Sequence, residues 1–277
     1  MEKKICVITG GGSGMGLAAA REIGKTHKIV IAGRSAEKLQ LAVSELRKEG
    51  VEAESCSCDV SLRKSTDTLA GFARSLGKIG VVLNAAGLSP NMGTPEIIMA
   101  VNALGTINMH ESFLPFLEDK GCLIDVSSMS AHLTPGFIMP KRSYGLSGEN
   151  PERFMKKMMA RVNLFPGKVR SGVAYAISKN FQLDYVRREA ARFGAKGVRV
   201  LSVSPGNFDT PMGSVEKEES AAYVRHCAIK RLGNVGEIAK LFAMCADEAI
   251  GYLTGIDILC DGGCVASGIN PLKKKTM

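Results

Sequence analysis

Seven short runs rich in β-branched and other apolar residues recur along this chain, at 5–9, 28–33, 52–57, 80–84, 121–127, 198–204 and 256–260. Longer helical patterns stand between them, expected over 15–26, 36–49, 62–77, 95–119, 172–195 and 235–247. Short apolar runs bounded by turn residues read as buried strands. Strands that alternate with helices are joined by crossovers, which makes them parallel and puts helices on both faces of the sheet. The alternation predicts an α/β fold, a doubly wound parallel sheet of about seven strands. No internal repeat, low-complexity tract or Pro/Ser-rich linker interrupts it, so one domain over 1–277 is expected.

The first strand, Ile5-Cys6-Val7-Ile8, feeds into Thr9-Gly10-Gly11-Gly12-Ser13-Gly14-Met15-Gly16, and Leu17-Ala18-Ala19-Ala20 continues as helix. Strand, glycine turn and helix start make a dinucleotide pyrophosphate site, where the backbone approaches closely and the helix N-terminus faces the anion. The sheet is thus expected to be of Rossmann type, with Gly10, Ser13, Gly14, Met15 and Gly16 holding the cofactor. The second strand ends in Gly33-Arg34-Ser35. A carboxylate at this point holds the ribose hydroxyls of NAD. Here Gly33 takes that position, and Arg34 follows with a planar, permanently charged fork suited to a phosphate. NADP(H) is therefore favoured over NAD(H), with Ser35 as a second donor. Asp59 and Val60, after the third strand, are placed at the adenine, and Asp59 is also a candidate cap for the next helix.

Tyr175 and Lys179 stand four residues apart, on one face of a helix. An ordinary tyrosine titrates near ~10, and a cation within roughly 4–6 Å lowers that value by stabilising the phenolate. The pair reads as a tuned general acid/base.

Together, Thr9-Gly-x-x-x-Gly-x-Gly and Tyr-x-x-x-Lys resemble the short-chain dehydrogenase/reductase family, over nearly the whole chain. Asn84-Ala85-Ala86-Gly87 is similar to the family's Asn-Asn-Ala-Gly element, with one substitution. Asn102 and Ser128 match the remaining two members of its catalytic tetrad, and Pro205-Gly206, Thr210 and Asp261-Gly262-Gly263 follow in family order. The resemblance implies interconversion of a secondary alcohol and a ketone with NAD(P). It gives Tyr175 the proton transfer, Lys179 the tuning of Tyr175 and the hold on the nicotinamide ribose, and Ser128 a hydrogen bond to the substrate oxygen. Asn102 is expected to support a water relay from Lys179 to solvent. Asn84, Ala85, Gly87, Pro205, Gly206 and Thr210 join the cofactor contacts. Ser127 and Ser130 rival Ser128, and Tyr144 rivals Tyr175, although no lysine follows Tyr144 at four residues. A cofactor-sensing regulator without turnover is the contrasting reading, and such a protein is expected to lack the Tyr, Lys or Ser found here.

The chain departs from the family pattern between Ser128 and Tyr175, where a helical insertion is expected at about 135–170. Asn150-Pro151-Glu152 signals a helix start. Phe154, Met155, Met158, Met159 and Val162 then recur at helical spacing. The branch of the family with 3α-hydroxysteroid dehydrogenase/carbonyl reductase is similar in carrying an insertion here. Between Pro135 and Arg170, Lys141, Arg142, Arg153, Lys156, Lys157, Arg161, Lys168 and Arg170 are opposed by only Glu149 and Glu152, within a chain of net charge +9. Either this is a solvated face or it attracts an anionic substrate. Phe137, Met139, Phe154 and Met155, with Pro211 and Met212, suggest an apolar substrate wall. The expected substrate is a bulky hydrophobic alcohol or ketone such as a hydroxysteroid or bile acid, with general carbonyl reduction as the alternative.

Other classes find little support. Aromatics are few and no nucleic-acid motif is present. No stretch approaches the ~18 apolar residues of a membrane span, and the strand beginning after Lys4 leaves no room for a signal peptide. The eight cysteines are scattered, and Cys56 and Cys58 lack zinc-ligand spacing, so no metal and reduced, mostly buried thiols of a cytoplasmic protein are expected. The tail Lys273-Lys274-Lys275 reads as frayed. A homodimer or homotetramer built on helices 95–119 and 172–195 is expected from the resemblance.

Overall fold

The computed structural model describes residues 2–210 and 222–268. In chain order the main elements are β1 (Ile5–Thr9), α1 (Gly14–Ile23), β2 (Lys28–Gly33), α2 (Ala36–Lys48), β3 (Ala53–Ser57), α3 (Arg63–Leu76) and β4 (Ile79–Asn84). Then come α4 (Pro95–Met99), a π-turn (Ala100–Leu104), α5 (Gly105–Phe113) and β5 (Leu117–Val126). Next comes α6 (Ser130–Leu133), and the insertion supplies α7 (Leu146–Glu149) and α8 (Pro151–Val162). It is followed by α9 (Arg170–Gly194), β6 (Arg199–Pro205), α10 (Val235–Ala246) and β7 (Asp257–Cys260).

The seven strands form one parallel sheet in the order β3-β2-β1-β4-β5-β6-β7. The expected Rossmann-type sheet is what forms. One apolar cluster packs α1, α2 and α10 on one face, and a second packs α3, α5 and α9 on the other. The strand order reverses between β1 and β4, and a ligand crevice opens at such a switch point beyond the strand ends. Register brings the ends level: Thr9 pairs with Ala32 and Asn84, and Asn84 with Asp125.

The helix expected over 95–119 differs in two ways. It is broken by the π-turn at Ala100–Leu104, and it ends at Phe113. Pro115, without an N–H, cannot extend the helical ladder. The chain turns instead, and β5 starts at Leu117, with a register shift before Cys122.

The insertion helix starts as its sequence signals. Asn150 Oδ1 accepts from Arg153 N at 2.8 Å, and Pro151 takes the first turn. Its apolar face is used inside the protein. Phe154, Met158 and Val162 are buried, and the Phe154 ring lies 4.6 Å from that of Phe181 on α9. Met139, Tyr144 and Tyr185 belong to the same cluster, and Met155 packs against it from its edge. The expected substrate wall is therefore corrected at Phe154, Met155 and Met139: packing against α4 and α9 takes up these side chains. Phe137 is 72 % exposed. The same packing lays α8 along α9 and α4, covering part of the face on which the resemblance would build an oligomer.

Candidate active site

The glycine loop is shaped by close approach. Gly10 has φ +68° and Gly14 φ +54°, the left-handed region that side chains disfavour. A Cβ on Gly10 would stand 2.9 Å from the Ala85 carbonyl oxygen. Ser13 opens α1 without a side-chain bond to the helix, so the first-turn N–H groups of α1 meet the loop with no capping side chain. Such an end takes an anion. A cleft of about 260 Å³ runs from here, lined by Gly10, Ser13, Gly14, Met15, Gly16, Arg34, Asp59, Val60, Ala85, Gly87 and Thr210 among the expected residues. These residues fit a dinucleotide.

At the adenosine end, a Cβ on Gly33 would meet nothing nearer than Leu39 at 3.7 Å, so the place of the acidic side chain is open space. Arg34 is exposed on the cleft wall. Ser35 begins α2, its Oγ accepting from Lys38 N at 3.4 Å. Lys38, which sequence reasoning missed, lies beside Gly12. Asp59 does not cap α3; its Oδ1 accepts from Ser61 N at 2.9 Å and Ser61 Oγ at 2.6 Å, and Leu62, at the N-cap position before α3, supplies no side-chain cap. Pro205 and Gly206 lie outside the cleft lining. The Pro205 carbonyl accepts from Met129 N, and a Cβ on Gly206 would strike Asp261 Cα at 2.6 Å.

The catalytic turn of α9 is fastened to the end of β5. Lys179 Nζ donates to Val126 O at 2.8 Å, Ser127 Oγ donates to Lys179 O at 2.9 Å, and Asn180 Nδ2 donates to Ala131 O at 3.0 Å. Ser128, one residue beyond Ser127, is half-buried next to this turn, its Oγ accepting from Ser130 N. Tyr175 is half-buried, and Lys179 Nζ stands 5.9 Å from its ring centroid. Lys179 itself is 5 % exposed. Burial pushes its ammonium down from the usual lysine range to about 8, against a smaller upward pull from Asp125. A Cβ on Gly87, which lines the cleft, would lie 3.4 Å from Lys179 Nζ, so the glycine lets the ammonium approach that wall closely.

The rival residues are placed elsewhere. Ser127 is buried and spends its hydroxyl on the α9 backbone. The Ser130 hydroxyl is buried without a partner. Tyr144 is fully buried, its hydroxyl among Asn180 Oδ1, Ile177 O and Met139 Sδ, and burial raises its pKa far beyond the range of proton transfer at neutral pH. Pro211, Met212 and Lys273-Lys274-Lys275 lie outside the described residues.

Asn102 sits in the π-turn. Its side chain accepts from Leu88 N at 2.9 Å and donates to Leu88 O at 3.0 Å, bracing the segment after Gly87. Its backbone carbonyl accepts from Thr106 Oγ1 at 2.8 Å and Gln182 Nε2 at 3.3 Å. The Asn84 side chain likewise turns away from the cleft. Oδ1 accepts from Thr9 Oγ1 at 3.0 Å, and Nδ2 donates to Asp125 Oδ1 at 2.9 Å and Thr106 Oγ1 at 3.4 Å. Asp125 also meets His110 Nε2 at 2.7 Å, both groups fully buried. Sequence reasoning missed Gln182, Thr106, Asp125 and His110. The one available signal was Gln182 itself, a polar residue one turn beyond Lys179 between Phe181 and Leu183.

Known proteins are similar to this chain in sequence and fold. A family model described as short chain dehydrogenase matches residues 4–144, and one described as Enoyl-(Acyl carrier protein) reductase matches residues 162–265. The short-chain dehydrogenase/reductase bsc3 of Alternaria brassicicola is 30% identical, over 96% of this chain and 97% of its own length. The 7alpha-hydroxysteroid dehydrogenase of Bacteroides fragilis is 24% identical over 95% and 94%. The fold of a short chain dehydrogenase from Burkholderia cenocepacia, solved in complex with NADP, superposes with a TM-score of 0.76 at 21% identity, over 95% of this chain and 98% of that one.

Proposed function

The chain belongs to the short-chain dehydrogenase/reductase family and is an NAD(P)-dependent oxidoreductase; from that premise we propose that it interconverts a bulky hydrophobic secondary alcohol and its ketone, using NADP(H), with Tyr175, Lys179, Ser128 and Asn102 as the working residues. The observation that carries the assignment is the buried Lys179 ammonium, held at the end of β5 beside Tyr175 and next to the cleft residue Gly87. A bound nicotinamide supplies or accepts the hydride at the substrate carbon. Tyr175 gives its phenolic proton to the substrate oxygen in reduction and takes it back in oxidation. Lys179 stabilises the phenolate through its charge. Ser128 donates a hydrogen bond to the oxygen as negative charge develops there. Asn102 works as a brace, fixing Leu88 and hence the wall that begins at Gly87.

Preference for NADP(H) is supported by Arg34 and by the open space at Gly33. A hydroxysteroid or bile acid is the proposed substrate. Its support is the similarity to the Bacteroides fragilis enzyme and the insertion's charge, since Lys141, Arg142, Arg153, Lys156, Lys157 and Lys168 have no ion-pair partner among the described residues. Arg161 and Arg170 instead hold the carbonyls of Ile138 and Phe165.

Tyr175→Phe should cut turnover by about 10²–10⁴-fold, the usual worth of a positioned acid/base, while cofactor affinity is retained. Near wild-type turnover in that variant would remove the assignment. Measuring kcat/KM for bile-acid, neutral steroid and small aryl ketones tests the substrate class. Equal efficiency on small ketones would replace it with general carbonyl reduction.

A further inference from the structure

Gln182 lies one turn beyond Lys179 on α9 and is 1 % exposed. Its Oε1 accepts from Lys179 Nζ at 3.2 Å, and its Nε2 donates to Asn102 O at 3.3 Å and Thr106 Oγ1 at 2.8 Å. The amide thus links the ammonium to the Asn102 carbonyl. We propose that Gln182 is a positioning residue for Lys179, holding its ammonium with a fixed amide dipole.

The orientation of that amide is forced from both sides. Thr106 Oγ1 donates to Asn102 O, so its lone pairs face Gln182 Nε2 and Asn84 Nδ2. Asn84 must present Nδ2 to the Asp125 carboxylate, and its Oδ1 takes the proton of Thr9, whose oxygen accepts from Ala86 N. Flipping Gln182 would set its oxygen against the Asn102 carbonyl and its NH₂ against the ammonium. Either contact leaves a buried polar group unpaired, at about 1–3 kcal/mol. A neutral amide has donors and an acceptor but no titratable proton at neutral pH. It therefore orders Lys179 without itself passing a proton on. The charged and titratable groups around Lys179 are Tyr175 on its own helix, Asp125 on β5 and, behind Asp125, His110 on α5.

The kinetic arm of the test rests on the oxidoreductase reading; the spectroscopic arm does not. In ¹⁵N-lysine-labelled, cofactor-free protein, the Lys179 ammonium should give a slowly exchanging proton signal, assigned by its loss in Lys179→Met. Gln182→Leu, which keeps the bulk and removes both hydrogen bonds, should speed that exchange at least about ten-fold and lower kcat by about ten-fold, a change of roughly 1.4 kcal/mol. Gln182→Glu keeps the shape and the bond to Lys179, so the signal stays. Its carboxylate offsets the ammonium charge on the Tyr175 phenolate, so the acidic limb of kcat for alcohol oxidation should move up by about one pH unit. A role limited to packing would move neither that limb nor the exchange rate. Gln182→Leu with wild-type exchange and kcat, or Gln182→Glu with an unmoved limb, overturns the proposal; if Gln182→Leu does not fold, Gln182→Glu decides alone. A wild-type protein that turns over no alcohol overturns the oxidoreductase reading, and the lysine signal still decides the role of Gln182.

Discussion

Arg34 stands at the end of β2 with open space at Gly33 beside it and no carboxylate partner among the described residues. A 2′-phosphate placed there gains a charge-assisted contact worth about 1.5–3 kcal/mol. Arg34→Ala should weaken NADPH by roughly 10–100-fold and NADH far less, as read by fluorescence titration. Equal losses for both would remove the preference. Lys179 makes a second prediction, in pH. Its value is about 8 in the fold against an ordinary 10.5, because burial disfavours the charged form. Between those values the unfolded chain holds a proton that the folded chain has released, so this group's contribution to stability rises with pH across that window. Below it the full cost of burying the ammonium remains, on the order of 3 kcal/mol. Lys179→Met should flatten this rise relative to wild type when urea unfolding is compared at pH 7.5 and near 10. Identical pH slopes in both proteins would contradict the burial argument. The Tyr175-x-x-x-Lys179 pair and the glycine loop were readable as sequence because each depends on neighbours within one turn. Gln182 was not, because its meaning lies in Thr106 and Asn102, 76 and 80 residues away.

At the level of elements, the insertion is where the amphipathic pattern and its target separate. The pattern of α8 is read correctly down to the Asn150 cap and Pro151, since capping is a local hydrogen-bond matter. What the apolar face meets is not local: Phe154 is seated against Phe181 of α9, in a cluster that also holds Tyr185, and not in the cleft. Phe154→Ala should cost about 3–5 kcal/mol of stability and lower the melting temperature. At temperatures where the variant is folded, KM for hydrophobic substrates should be unchanged. Phe137→Ala, at an exposed position, should change stability by less than about 0.5 kcal/mol. A raised KM with unchanged melting in Phe154→Ala would return this residue to the substrate wall. The helix expected over 95–119 was misjudged for a related reason. Periodicity carries through the π-turn without a mark, although the turn is what frees the Asn102 carbonyl to face α9.

For the molecule as a whole, the order of elements, the parallel sheet and the family all follow from the sequence. Apolar period, glycine spacing and caps act over a few residues, and right-handed crossovers leave few ways to assemble the result. No described helix is long and apolar enough to cross a membrane. The sequence thus determined the Rossmann-type sheet and the glycine loop at its switch point, and it singled out Tyr175, Lys179, Ser128 and Asn102 as the proposed working residues. Only the tertiary structure decided how the buried polar atoms pair: Lys179 with Gln182, Gln182 with Thr106, and Asn84 with Asp125, itself against His110. It also decided that α8 faces α9 and α4. The physical reason is common to both. Partners in a dry interior are chosen by which atoms the crossing elements bring within hydrogen-bond or van der Waals reach, and a pattern confined to one segment holds no record of that distance.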